Sequence, residues 1–178
     1  MDSRSTTTNR CGSPRSFGIT GAAFLFLVVG WSTRPGHADQ PPSIRASGQS
    51  QILQVLEPFH PAIFPEQSWH FVAPKPFGAT VAVWSIEAFQ NTHDPNPRVD
   101  AQLNLRILDH GHSGAWQVMV HQDRTDFQQG RTFAHVVAAS GGGHGECGVT
   151  VSFLGQEQPF AADGVYEATV VGTITEAF

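Results

Sequence analysis

Lysine is almost missing: Lys75 is the only one in 178 residues. Tyrosine occurs once, at Tyr166, cysteine twice, at Cys11 and Cys147, and charged residues make up 14% of the chain. Ten basic residues against fifteen acidic ones give a net charge of −5, which excludes the concentrated basic patch of a nucleic-acid binder. The longest apolar run, Phe17 to Trp31, stops short of the roughly 20 residues that span a bilayer. No window of a dozen residues holds an apolar period of 3.6, so amphipathic helices are not expected. What is plentiful is apolar and turn-forming: 40% hydrophobic residues, 13 Phe, 4 Trp, 18 Gly and 12 Pro. Such a chain folds rather than staying disordered, and its length suits one domain.

The amino-terminal part reads as a secretory signal peptide. Arg4, Arg10 and Arg15 precede the apolar run, Arg34 closes it, and Gly36 and Ala38 supply the small residues of a cleavage site. Cleavage is expected after Ala38, leaving no stable membrane insertion. Residues 39–178 then carry six basic and fourteen acidic side chains, a formal charge of −8. Only Cys147 remains, so no intramolecular disulfide can form despite export. The domain must be held by its core, and its length is enough for one.

Residues 39–51 are polar and read as a flexible lead-in, with the folded domain over 52–178. Between Ile52 and Pro76, five prolines (Pro58, Pro61, Pro65, Pro74, Pro76) favour short or edge strands, since proline cannot donate to a ladder. Beyond them the period becomes two. Ala82, Trp84, Ile86 and Ala88 share one face of Thr80–Phe89, and Ala101, Leu103, Leu105 and Ile107 alternate with Gln102, Asn104 and Arg106. Trp116, Val118 and Val120 repeat the pattern, as do Val149, Val151 and Phe153, and Tyr166, Ala168 and Val170. Loop chemistry separates them at Asn91–Pro97, Asp109–Gly114, Gly141–Glu146 and Ala161–Gly164. Half-buried antiparallel strands at these intervals predict an all-β fold, a single immunoglobulin-like antiparallel β-sandwich. Gly172, inside the last strand pattern, points to a bulge or a close backbone approach.

Two stretches carry a family resemblance. Leu105-Arg-Ile-Leu-Asp-His-Gly-His-Ser-Gly-Ala-Trp-Gln-Val118 resembles the centre of the WxL domain of bacterial surface proteins: a hydrophobic strand, an Asp-x-Gly turn, then Trp two residues before an aliphatic one. Gly164-Val-Tyr-Glu-Ala-Thr-Val-Val-Gly-Thr-Ile-Thr175 resembles that domain's last strand. The resemblance covers roughly residues 100–178. It departs at Gly172, which stands where the family carries its second Trp. It implies a secreted, non-enzymatic domain that binds cell walls non-covalently, with Asp109, Trp116 and Gly172 as the corresponding positions. Read from the residues alone, Trp116 is a core tryptophan by its alternation with Val118 and Val120.

Histidine supplies the other candidate chemistry. His110, His112, His144 and Cys147 sit in or beside loops, and imidazole and thiolate are ligands for copper or zinc. No Cys-x-x-Cys or His-Glu-x-x-His spacing accompanies them. His121 lies with Gln117 on a polar face, and His135 shares a face with Phe133 and Val137. Catalytic patterns are weaker. Ser140 lacks the glycine before it that a nucleophile elbow requires, and Gly141–Gly145 lacks a following Lys-Ser/Thr for phosphate. Asp123 and Asp126 lie beside Arg124 and Arg131, which reads as a solvated charged turn rather than a pair of catalytic carboxylates.

These observations favour a non-enzymatic binding or structural module at the cell surface, secreted or periplasmic, without a cofactor. Its expected partner is a cell-wall polymer or another surface protein. The competing expectation is a copper- or zinc-binding protein built on the loop histidines. The parity of Cys147 with Val149 and Val151 predicts a buried thiol.

Overall fold

The computed structural model describes residues 20–28, 42–47, 52–55, 62–73, 78–94, 96–111, 116–155 and 164–176. The expected cleavage site at Ala38, four of the five prolines between Ile52 and Pro76, and His112 lie outside the described residues. Among those described, the fold is an all-β sandwich of two sheets.

Among the described residues fourteen strands occur in chain order: β1 (Thr20–Val28), β2 (Ser43–Ala46), β3 (Ile52–Val55), β4 (Ala62–Ile63), β5 (Gln67–Ala73), β6 (Ala79–Ser85), β7 (Phe89–Asn91), β8 (Arg98–Val99), β9 (Ala101–Asp109), β10 (Gln117–Val120), β11 (Gln122–Arg124), β12 (Ala134–Ser140), β13 (Gly143–Phe153) and β14 (Tyr166–Glu176). One sheet runs β10-β12-β6-β14-β1-β3, with β7 and β8 continuing beside β14; the other runs β11-β9-β13-β5-β2, with β4 on β13. All pairings are antiparallel except that of β1 with β14.

The alternation in β9 and β14 places Ala101, Leu103 and Leu105 from one sheet, and Tyr166, Ala168, Val170 and Ile174 from the other, in one core between the sheets. At one end, Phe64 stacks near Phe89 (5.9 Å), which meets Phe153 edge-on (5.1 Å), and Phe153 meets Tyr166 (5.2 Å). At the other end, Phe71 and Trp116 close the core, with ring centroids 4.2 Å apart. Such edge-on and tilted pairs add to the stabilisation from area burial.

Three expectations are revised, and a segment of the expected leader takes strand form. Ser43–Ala46, within the expected lead-in, is a strand on β5, and its Ile44 side chain is in the core. Thr20–Val28, within the apolar run read as a leader, pairs with β14 and β3. The strand expected across Thr80–Phe89 breaks after Ser85, whose hydroxyl donates to the Glu87 carbonyl (2.7 Å) and holds the bend before β7. The glycine-rich stretch expected to be a loop supplies the first residues of β13, from Gly143. Glycine weakens a strand, but here the missing side chains admit others: a Cβ on Gly145 would lie 2.8 Å from Trp116 Nε1, and the Glu66 carboxylate occupies the same position at Gly148.

Candidate functional site

The Asp109–Gly111 turn is built by local hydrogen bonding. The Asp109 carboxylate accepts from Gly111 N–H at 2.8 Å, an Asx-type closure, and Gly111 takes φ +66°. A side chain at Gly111 would collide with the His144 carbonyl, so the turn lies directly on the start of β13. The His110 ring holds the far side, its Nδ1 3.0 Å from the Trp116 carbonyl oxygen. Asp109 and His110 are exposed, whereas Trp116 is 1% exposed, packed between Phe71 and Gly145. Its Nε1 has no hydrogen-bond partner among the described residues. Trp116 is thus a core residue under the turn, as its alternation predicted, and its ring does not reach the surface.

Gly172 is equally enclosed. The close approach expected there is to Trp69 of the opposite sheet, whose indole fills the space a side chain would take. Of the three positions that correspond to the resembled family's sites, only Asp109 faces solvent.

The histidines and the thiol do not converge among the described residues. Cys147 is fully buried, with Trp69 and Ile107 as its register partners on β5 and β9. His144 and Glu146 belong to the opposite face of β13, where Glu146 pairs with His70 (Nδ1 to Oε2, 3.6 Å). No group of three or more His, Cys, Asp or Glu side chains stands ready to hold a metal among the described residues. Burial pushes the Cys147 thiol up to about 12, and the carboxylates of Glu146 and Glu66 add to the rise.

The outer faces of the two sheets differ in chemistry. On the β9/β13/β5 sheet it is polar: Arg106 donates from Nε (2.6 Å) and Nη2 (2.8 Å) to Glu66, bidentate geometry that outweighs partial burial and holds the Glu66 carboxyl below its usual range. On the β12/β6/β14 sheet it is apolar and aromatic. The rows Val171–Trp84–His135 and Thr173–Ala82–Val137 cross that face. Trp84 stacks on His135 at 4.8 Å, and Phe133, 46% exposed, lies 6.2 Å from Trp84. Ile86, just past the end of β6, is 53% exposed.

The rim of this patch is polar and tightly bonded. Asp123 is mostly buried, which by itself would raise its pKa. The bonds from the His135 and Arg124 backbone N–H groups and from the Arg131 guanidinium outweigh burial and hold its carboxyl below the usual range. His135 Nδ1 stands 3.4 Å from the second carboxylate oxygen without a hydrogen bond. Asp123 is therefore held by these donors and largely enclosed, not solvated as the neighbouring arginines suggested. Asp126 instead accepts from Gln129 N–H (3.1 Å), capping a single 3₁₀ turn over Phe127–Gln129.

Sequence reasoning passed over the aromatic patch because Trp84 and Ile86 were read as one side of an amphipathic strand. The available signal was that both faces of β6 are apolar, Val81 and Val83 on one and Ala82 and Trp84 on the other. Compared with known proteins, the chain matches no protein-family model and no curated protein.

Proposed function

We propose that this chain is an exported, non-enzymatic binding module of the cell surface, and that its contact surface is the outer face of the β12/β6/β14 sheet. The observation that carries this reading is the Trp84–His135–Phe133 cluster. A single exposed apolar residue needs no explanation, but a contiguous aromatic patch with a polar rim is typical of contact sites. Flat rings set beside Asp123, Arg131 and threonine hydroxyls suit the C–H faces and hydroxyls of a glycan. The resemblance to a wall-binding family supports the same partner, a cell-wall polymer. A charge of −8 for residues 39–178 disfavours strongly anionic polymers at long range.

Co-sedimentation of the exported protein with purified wall fragments tests this. Phe133→Ala and Trp84→Ala should each weaken binding about tenfold, roughly 1.4 kcal/mol, while melting of the Phe133 variant stays within about a degree of wild type. Undiminished sedimentation of both variants would remove this face from the reading.

A further inference from the structure

Thr20–Val28 faces two incompatible demands. It lies within the apolar run Phe17–Trp31, behind Arg4, Arg10 and Arg15, that reads as a leader. A leader acts by entering a membrane, where no water meets the backbone, so the run has to bond within itself as a helix. In the folded chain the same residues are a strand bonded to distant segments. Ala22–Val28 pair in parallel with Tyr166–Gly172 of β14, and Thr20–Ala23 pair antiparallel with Ile52–Val55 of β3. One segment cannot hold both sets of bonds.

Of the two partners, β14 is the firm one. Its other side is fixed in the sheet by β6 along Val170–Glu176 and by β7 at Tyr166–Glu167, and Ile86 N–H donates to the Thr169 carbonyl between them (3.2 Å). β3 pairs with β1 over four residues and has no other strand partner among the described residues, and a two-stranded pairing alone is marginal in water. The order of synthesis then matters. β3 follows β1 closely, but β14 comes about 140 residues further on, an interval on the order of ten seconds at about 5–20 residues per second. Helices form in microseconds, so the leader is free to enter a membrane throughout that interval.

We propose that β14 is an off switch for the leader: its Tyr166–Gly172 edge withdraws Thr20–Val28 from the membrane once the whole chain has folded, so export has to begin before β14 is in place. This rests on the leader reading and is independent of the contact surface on the β12/β6/β14 sheet.

Flotation with vesicles of phosphatidylethanolamine and a minority of phosphatidylglycerol, whose anionic headgroups attract the three leader arginines, tests this. Chain of residues 1–178 diluted from urea directly onto vesicles is compared with the same chain folded before mixing. The folded chain should float at least about tenfold less, and equal flotation would overturn the inference. A folded chain carrying residues 1–38 twice in tandem separates masking from other effects of folding. Its spare leader should restore flotation, and no restoration would overturn the assignment to β14. Absence of flotation even from urea would remove the leader reading itself, and the inference with it. Pairing is read independently with Ala23→Cys and Glu167→Cys in a background of Cys11→Ser and Cys147→Ala. These register partners lie about one strand spacing, ~4.8 Å, apart, within disulfide reach. Mild oxidation should give a near-stoichiometric intramolecular disulfide in the folded chain and at least about tenfold less in the vesicle-bound one. Free thiols in the folded chain would overturn the inference.

Discussion

The indole of Trp69, on β5, lies over the bare backbone of Gly172, on β14: a Cβ at Gly172 would stand 2.7 Å from Cε3 and nearer still to Cζ3. Neither ring atom can yield as a flexible chain end would, because the indole is fully buried among core residues. The contact joins the two sheets, and it explains why a strand rich in Thr and Val is interrupted by glycine at this one position.

Gly172→Ala should therefore destabilise the domain by overpacking, roughly 1–3 kcal/mol. Trp69→Phe should recover part of that loss in the double variant, because it removes the six-membered ring that the new methyl meets. Chemical denaturation of the two single variants and the double one measures the coupling. Additive losses would show that Trp69 is not what excludes a side chain at Gly172.

Trp116→Ala empties a large site in the core against Phe71 and should cost about 3–5 kcal/mol. Trp116→Phe should cost less than half as much. It keeps a ring against Phe71 and removes an indole N–H that has no partner among the described residues. Equal losses in the two variants, measured by urea midpoint, would mean that the N–H carries the interaction.

The buried thiol gives a signature in alkaline solution. A thiol in the unfolded chain ionises near about 8.5, while Cys147 in the folded chain holds its proton up to about 12. Below the lower value both states are protonated and pH has no effect through this group. Between the two values only the unfolded state loses its proton, so stability falls as pH rises, by up to ~1.4 kcal/mol per pH unit. Cys147→Ala should lack this decline. In the native protein the thiol should also react with a thiol reagent far more slowly than in urea at pH 8. Native labelling at the unfolded rate would place the thiol outside the core.

Asp123 supplies the acid limb. Its folded carboxyl titrates below the usual range, so its contribution is present above the ordinary carboxylate value and is lost as pH falls through the depressed one. Asp123→Asn should destabilise by about 1–3 kcal/mol at neutral pH, through the weakened bonds to His135 N–H and Arg131. The variant's stability should change less than wild type's below about pH 4. Parallel acid profiles for the two proteins would show that another carboxylate sets this limb.

Period two was legible wherever one face of a strand is apolar and the other polar, as in Ala101–Asp109 and Tyr166–Glu176, and that alone determined the all-β class. Parity also placed Cys147 and Trp116 inside, because residues two apart on a strand share a face whatever the fold. The sequence could not say which face of β6 meets the other sheet, since both are apolar. Only the packing of the second sheet against Val81 and Val83 turns Trp84 outward, and so creates the aromatic patch with His135 and Phe133. The glycines at 143, 145 and 148 look like loop chemistry for a related reason. Glycine reports the space it leaves, and what enters that space at 145 and 148, the Phe71 and Trp116 rings and the Glu66 carboxylate, comes from segments distant in sequence. Local periodicity settles which residues act together, and long-range contact between the sheets decides which of them are core and which are surface.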